Sequence, residues 1–316
     1  MNSKKKLYIL TFLLLILVTM FVFLGLNSRN WEYALSRRIP KIIAIVITGS
    51  SIAFSSLMFQ TITNNRILTP SILGLDSLYM FIQTFTVFIL GSNKVAKLGQ
   101  NFNFMVSVGL MVIFSIILFR LLFKKEGSNI FFLLLLGLVF GTFFQSLSSF
   151  MQVLIDPSEF MIVQNKMFAS FNNTNTNILW IALVMILGSM AYTCKYLNAL
   201  DVLSLGRDNA INLGIEYDNV VKKMLIIISI LVSVSTALVG PITFLGLLVV
   251  NITREILKTY QHKYLIMGSI LISSIALVGG QLFAERISNF STPISVIINF
   301  IGGVYFIFLL LKESRI

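Results

Sequence analysis

Charge is scarce in this chain. Of 316 residues only 11% are Asp, Glu, Lys or Arg, where a soluble domain carries about 25%, so water is not its main solvent. Cysteine is nearly absent: Cys194 stands alone, which excludes an intrachain disulfide and any multi-cysteine metal site. The single histidine, His262, sits in a basic stretch between apolar runs and leaves no histidine pair for a metal or a catalytic triad. The pattern G-x-x-x-x-G-K-[ST] occurs nowhere, so nucleotide hydrolysis on a phosphate loop is excluded. The apolar runs hold almost no ionisable side chain, whereas carriers driven by protons or sodium usually keep one inside the bilayer. What remains is a chain with no catalytic, cofactor or metal site of its own, drawing energy from elsewhere.

Apolar sequence is what the chain has in plenty, 57% of it. It comes in runs of roughly 18–22 residues, the length that crosses about 30 Å of hydrocarbon as a helix. Backbone amides in lipid must be satisfied within their own segment, which requires helices. The expected fold is an all-α polytopic membrane protein, a single domain over residues 1–316 with about ten transmembrane helices. The spans fall near residues 7–26, 41–60, 71–90, 103–123, 130–150, 178–195, 221–239, 243–254, 264–283 and 294–311. The eighth is short, and Gly240-Pro241 ahead of it predicts a bent or partial helix. Lys4, Lys5 and Lys6 before the first run imitate a signal peptide. That run is too long, however, and no small-x-small cleavage site follows, so it reads as the first span.

The net charge is +12, yet the basic residues lie between spans, so they report topology and not a nucleic-acid surface. With the N-terminus cytoplasmic, ten spans return Lys312 and Arg315 to the same side. Of the 24 Lys and Arg residues, sixteen then lie inside. The eight outside are Arg29, Arg37, Arg38, Lys41, Lys94, Lys97, Lys166 and Arg286, and the first four crowd one short loop against the trend. Two inter-span segments are long enough to hold structure. The outer one, Ile155 to Asn177, predicts a short interfacial helix and a loop. In the inner one, Leu200 to Lys223, Asp201 and Asp208 predict helix N-caps and Gly206 and Gly214 predict helix ends. Leu205, Ile211, Leu213 and Ile215 add apolar positions, as two short helices lying under the membrane would require.

Uncharged amides both donate and accept hydrogen bonds, so Gln60, Asn64 and Asn65 at the end of the second span suit a cavity passing a bulky polar solute. Asp76, at the start of the third span, either complements that helix's dipole or faces the pathway. Gly279-Gly280 and Gly302-Gly303 read as sites of close helix packing.

Four blocks carry a resemblance. Arg38-Ile39-Pro40-Lys41 leads into a small-residue helix from Gly49 to Gln60, then Asn65-Arg66-Ile67-Leu68-Thr69-Pro70 and Leu73-Gly74. L-G-x-x-x-A-x-x-L-G-I stands intact from Leu205 to Ile215, and G-P-I-x-F-x-G-L runs from Gly240 to Leu247. Pro293 and Gly302 belong to a closing block with a Leu-rich end. Over essentially its whole length the chain resembles the FecCD-type permeases of ATP-binding-cassette importers for iron–siderophores, haem and cobalamin. It departs from their pattern at Asn65-Arg66 for Asn-Pro, Val250-Asn251 for Pro-His, Ala284-Glu285-Arg286 for Asp-x-x-Ala-Arg, and Asp76 for a small residue. The segment Ile155 to Asn173 looks like the branch that carries catecholate-type siderophores.

The resemblance implies a permease subunit in the bacterial cytoplasmic membrane, no enzyme itself, that admits ferric siderophores. It implies as partners an ABC ATPase dimer, a second permease subunit, a siderophore-binding protein or lipoprotein, and membrane lipid, with no nucleic acid. It also assigns roles. Arg38, Lys41 and Arg286 would dock the binding protein, and Gln60, Asn64, Asn65 and Asp76 would line the pathway. Leu205, Gly206, Ala210, Leu213, Gly214 and Ile215, within residues 200–220, would form the coupling helices against the ATPase. Gly127, Ser128 and Asn129 would lie near the cytoplasmic gate. Haem or cobalamin as the solute, an ion-coupled secondary carrier, and a membrane scaffold without transport stand as the rival readings.

Overall fold

A computed structural model describes residues 3–26, 31–122, 130–172, 175–287 and 292–313. Helix follows helix: α1 Ser3–Phe23, α2 Trp31–Ile62, α3 Leu75–Leu90, α4 Ser92–Leu98, α5 Gln100–Leu122, α6 Ile130–Leu154 and α7 Pro157–Met167 in the first half. The second half holds α8 Thr176–Thr193, α9 Leu197–Leu203, α10 Arg207–Asn212, α11 Tyr217–Val239, α12 Leu245–Leu257, α13 His262–Arg286 and α14 Ile294–Glu313. The described residues contain no strand, and the chain is an all-α polytopic membrane protein.

Each of the ten expected spans falls on a helix, but among the described residues only eight helical stretches are long and apolar enough to cross a membrane unaided. The other two are α3, with 16 residues, and α12, with 13. At 1.5 Å per residue they reach about 24 and about 20 Å, short of a bilayer's hydrocarbon depth. Non-helical chain supplies the difference. The stretch from Thr63 through a 3₁₀ turn at Pro70–Leu73 leads into α3, and Gly240 to Phe244 leads into α12. Such backbone survives at membrane depth only when other protein surrounds it. Both breaks meet α2: one small cavity is lined by Ile52 and Ser56 of α2, Pro70 of the first break, Asp76 at the start of α3, and Ile242 and Thr243 of the second.

α2 runs through the centre of the bundle. The sequence places its start at residue 41, just after Pro40, yet the helix extends back to Trp31 and makes Pro40 an interior residue. Proline there leaves the Ser36 carbonyl without its helical donor. From Ala44 to Ile62 α2 is buried almost continuously, packed on α11, α12 and α13. Small residues permit this. A Cβ added to Gly49 would stand 2.9 Å from Ser273 Oγ and Leu277 Cδ1 of α13. With the backbones this close, the Ser273 hydroxyl donates to the Gly49 carbonyl at 2.8 Å, and that of Ser51 to the Leu231 carbonyl at 2.8 Å. Ser, Gly and Thr at such contacts are the usual substitutes for hydrophobic pressure between helices in lipid.

The break before α3 is seated on α6 by a Gly137-x-x-x-Gly141 pair. The Cβ that Gly137 lacks would lie 2.6 Å from the Ile72 carbonyl oxygen and 2.8 Å from Leu73 Cα. At its far end α3 turns through 108° into α4 at Gly91, whose φ of 74° suits glycine. α7 fills the outer segment expected to be helical. Asp156 caps it, accepting from the Ser158 amide at 3.0 Å and hydroxyl at 2.8 Å, and those bonds hold its carboxyl below the ordinary carboxylate range.

Candidate functional site

Three regions along the bundle axis hold the polar residues that matter. At one end the carbonyls at and just past the end of α1, which have no intrahelical donor, are met by two arginines. Arg38 Nη1 donates to the Val22 carbonyl at 2.6 Å and to that of Leu24 at 3.0 Å; Arg286 Nη2 donates to Leu24 at 2.6 Å. Lys41 pairs with Glu285 at 2.7 Å and also reaches Asn172 Oδ1 at 3.0 Å. The three predicted docking residues thus share one rim, tied to the ends of α1, α2 and α13. Part of their charge is engaged within the chain, which fixes where the rest points. The same end holds a polar cluster in which Lys166 donates to Gln83 at 2.7 Å and Gln83 to Ser107 at 2.8 Å. Burial there pushes the Lys166 ammonium down.

In the middle, Asp76 is partly buried where the two chain breaks meet, accepting from Thr236 Oγ1 at 3.4 Å and from Ser71. It stands beside α2 and not on an open wall. Gln60 is 2% exposed, because α2 is the core helix of the chain. Gln60, Asn64 and Asn65 therefore line a cavity inside this chain, of about 660 Å³, together with Arg66, Asn251, Arg254 and His262. Asn64 adopts φ 46°, a left-handed turn that asparagine tolerates. The Asn65 side chain accepts from the Ile67 amide at 2.9 Å.

At the opposite end His262 departs from its expected place in a polar loop. It opens α13, is 1% exposed, and links three elements. Asp201 Oδ1 accepts from the His262 amide at 2.7 Å and meets Nδ1 at 2.6 Å, while Nε2 meets Thr61 Oγ1 at 2.8 Å. Asp201 was expected to cap its own short helix. It lies inside α9 instead, and its carboxylate satisfies the N-terminus of α13 from 61 residues away in sequence. α9, α13 and α2 are thereby joined by one hydrogen-bonded chain.

The segment that follows forms the two short helices expected, although α9 starts at Leu197. Gly206 and Gly214 hold φ values of 94° and 83° and end the turns as the sequence indicates; Gly206, not Asp208, is the N-cap of α10. Ala210 is buried, and the Ile215 amide closes onto its carbonyl at 3.0 Å. Leu205, Ile211 and Leu213 are 55%, 44% and 61% exposed, an apolar patch bordered by Arg207, Asp208 and Asn212. Gly127, Ser128 and Asn129 lie outside the described residues. Among the described residues no group of three metal-ligating side chains occurs.

Sequence reasoning overlooked Asp201, His262 and Thr61 as a unit, since no local pattern joins positions so far apart. It also overlooked Gly137-x-x-x-Gly141, whose spacing was there to be read.

Comparison with known proteins extends over the same length. The sequence matches the FecCD transport family from residue 6 to residue 312. It is 61% identical over 315 residues to the petrobactin import system permease protein YclO of Bacillus subtilis (strain 168), covering 100% of this chain and 99% of that one. It is 34% identical to the petrobactin import system permease protein FatC of Bacillus anthracis, over 92% of this chain and 82% of the other. Among solved structures, a chain of an ABC transporter described as of metal-chelate type, in an inward-facing conformation, superposes with a TM-score of 0.83 at 23% identity. That alignment spans 98% of this chain and all of the other, so the two share a fold. By match and by architecture, this chain belongs to the FecCD transport family.

Proposed function

We propose that this chain is the membrane-spanning permease subunit of an ABC importer that passes ferric siderophores into the bacterial cytoplasm, with ATP hydrolysed by a separate partner. The observation that carries the reading is the division of labour between its two ends. A rim of Arg38, Lys41 and Arg286 stands at one, and an exposed apolar patch on and around the short helix α10 stands at the other. Positive rim charge steers and orients an acidic docking partner, here a siderophore-binding protein or lipoprotein outside the membrane. Exposed leucines on a rigid two-helix base, bordered by charge, match what the core of a protein interface needs, here the ATPase dimer. Lys6 donates to the Ile256 carbonyl, which puts the lysine-rich N-terminus at the α10 end. The excess of basic residues there supports a cytoplasmic assignment for that end and for both termini. A second permease subunit, a copy or a homologue, completes the pathway, and the petrobactin importers among the relatives support a catecholate-bearing ferric siderophore as solute.

Two outcomes test this. Leu205→Glu with Leu213→Glu reduces uptake of radiolabelled ferric siderophore in cells by at least about tenfold, the loss of one or two interface anchors, while the amount of protein in the membrane stays constant. Uptake at the wild-type rate would refute the ATPase-docking role. Arg38→Glu with Lys41→Glu slows binding-protein association at low salt and has less effect at high salt, as rim charges do. Docking kinetics indifferent to both substitutions would remove the rim from the account.

A further inference from the structure

Buried polar atoms without partners are uncommon and each calls for a cause. Among the described residues three of them, both amide atoms of Gln60 and Nε of Arg254, border the same cavity. That cavity, of about 660 Å³, falls within the roughly 300–1,000 Å³ typical of ligand sites. Arg66, Arg254 and Lys258 bring positive charge to its walls against the one carboxylate of Glu255. Arg66 reaches it because the chain break after α2 is pinned there: Asn251 Nδ2 donates to the Arg66 carbonyl at 3.0 Å. Asn64 and Asn65 add neutral amides. Its histidine, His262, is already held on both ring nitrogens by Asp201 and Thr61. What stays open in the site is mostly donors, two of them guanidinium groups, whose geometry favours paired oxygen acceptors.

We propose that this cavity is a binding station for an oxyanion-bearing ligand, one that presents ionised carboxylate, catecholate or phosphate oxygens to Arg66, Arg254 and Gln60. Two sources share that chemistry. One is a negatively charged iron chelate in transit, which rests on the import function proposed above; the other is the headgroup of an anionic phospholipid.

The test uses the full-length protein in phosphatidylcholine nanodiscs, with ferric citrate labelled with radioactive iron as the probe. Wild-type protein binds it saturably and more weakly as salt rises. Arg66→Gln with Arg254→Gln weakens binding at least about tenfold, as loss of charged hydrogen bonds does. A neutral ferric trihydroxamate shows no binding that depends on these arginines. Should the double variant fail to give monodisperse protein, Arg66→Gln alone, at an exposed position, serves in its place. Phosphatidylglycerol nanodiscs that exclude ferric citrate from wild-type protein support the oxyanion site and assign it to a headgroup. Equal affinity in wild type and variants, or no saturable ferric citrate binding and no arginine-dependent retention of phosphatidylglycerol, overturns the proposal. Uptake by the assembled wild-type importer is measured in parallel. No uptake with arginine-dependent binding intact defeats the import reading alone, whereas normal uptake with binding indifferent to the arginines defeats the station alone.

Discussion

Asp201→Ala lowers the stability of the protein by about 3 kcal/mol, a fall of roughly 4–5 °C in Tm for a chain of this size. The size of the effect follows from what the carboxylate holds. His262 is 1% exposed and Asp201 retains 28% of its side-chain surface, so the pair is mostly shielded from water. Removing the carboxylate strands the first amide of α13 and the Nδ1 of a buried imidazole, and each unsatisfied buried group costs about 1–3 kcal/mol. Asp201→Asn keeps an acceptor oxygen and retains more than half of the lost stability. The substitution also frees α9 from α13 and, through His262, from Thr61 at the end of α2. Movement at the exposed α10 patch then no longer reaches the central helix, and transport falls further than the protein level does. An Asp201→Ala protein with wild-type Tm would show that the three-residue chain is incidental.

Gly137→Ala has an effect as large by a different route. The added methyl would meet backbone, the Ile72 carbonyl oxygen at 2.6 Å and Leu73 Cα at 2.8 Å, and backbone cannot rotate away as a side chain can. Overpacking of this kind costs about 1–3 kcal/mol, and more where nothing yields. It also pushes the 3₁₀ turn off α6, disturbing the approach to α3 and the surroundings of Asp76. Gly188→Ala in α8 is the matched control, because a Cβ there meets nothing within 4 Å. A helix interior gains about 0.5–1 kcal/mol when glycine becomes alanine, so that variant is neutral or slightly more stable. Equal melting temperatures for the two variants would contradict the packing described for α6.

The ten helices were legible because hydropathy and interrupting charge act locally, and so were the two short helices ended by Gly206 and Gly214. Legibility failed where a side chain's partner lies far along the chain. A helix N-cap is a local pattern, and Asp201 satisfies it in form, yet its carboxylate serves α13. His262 sits in a polar stretch by sequence and in the core by structure, because the start of α13 is folded against α2 and α9. Pro40 could end a helix, but here the helix continues through it to Trp31, and the segment before it is largely exposed. Gln60 and Asp76 were legible as polar groups at membrane depth. The burial of Gln60 within one chain was not, since only the packing reveals that α2 is central.

The central claim is that this chain conducts a solute but draws its energy from another subunit. Proteoliposomes containing the assembled importer test it most directly, with labelled ferric siderophore and its binding protein outside and ATP inside. Uptake that requires ATP, and that stops when the ATPase partner is replaced by a form unable to hydrolyse it, is the predicted result. Uptake that persists without a competent ATPase and follows an imposed proton or sodium gradient would contradict the account.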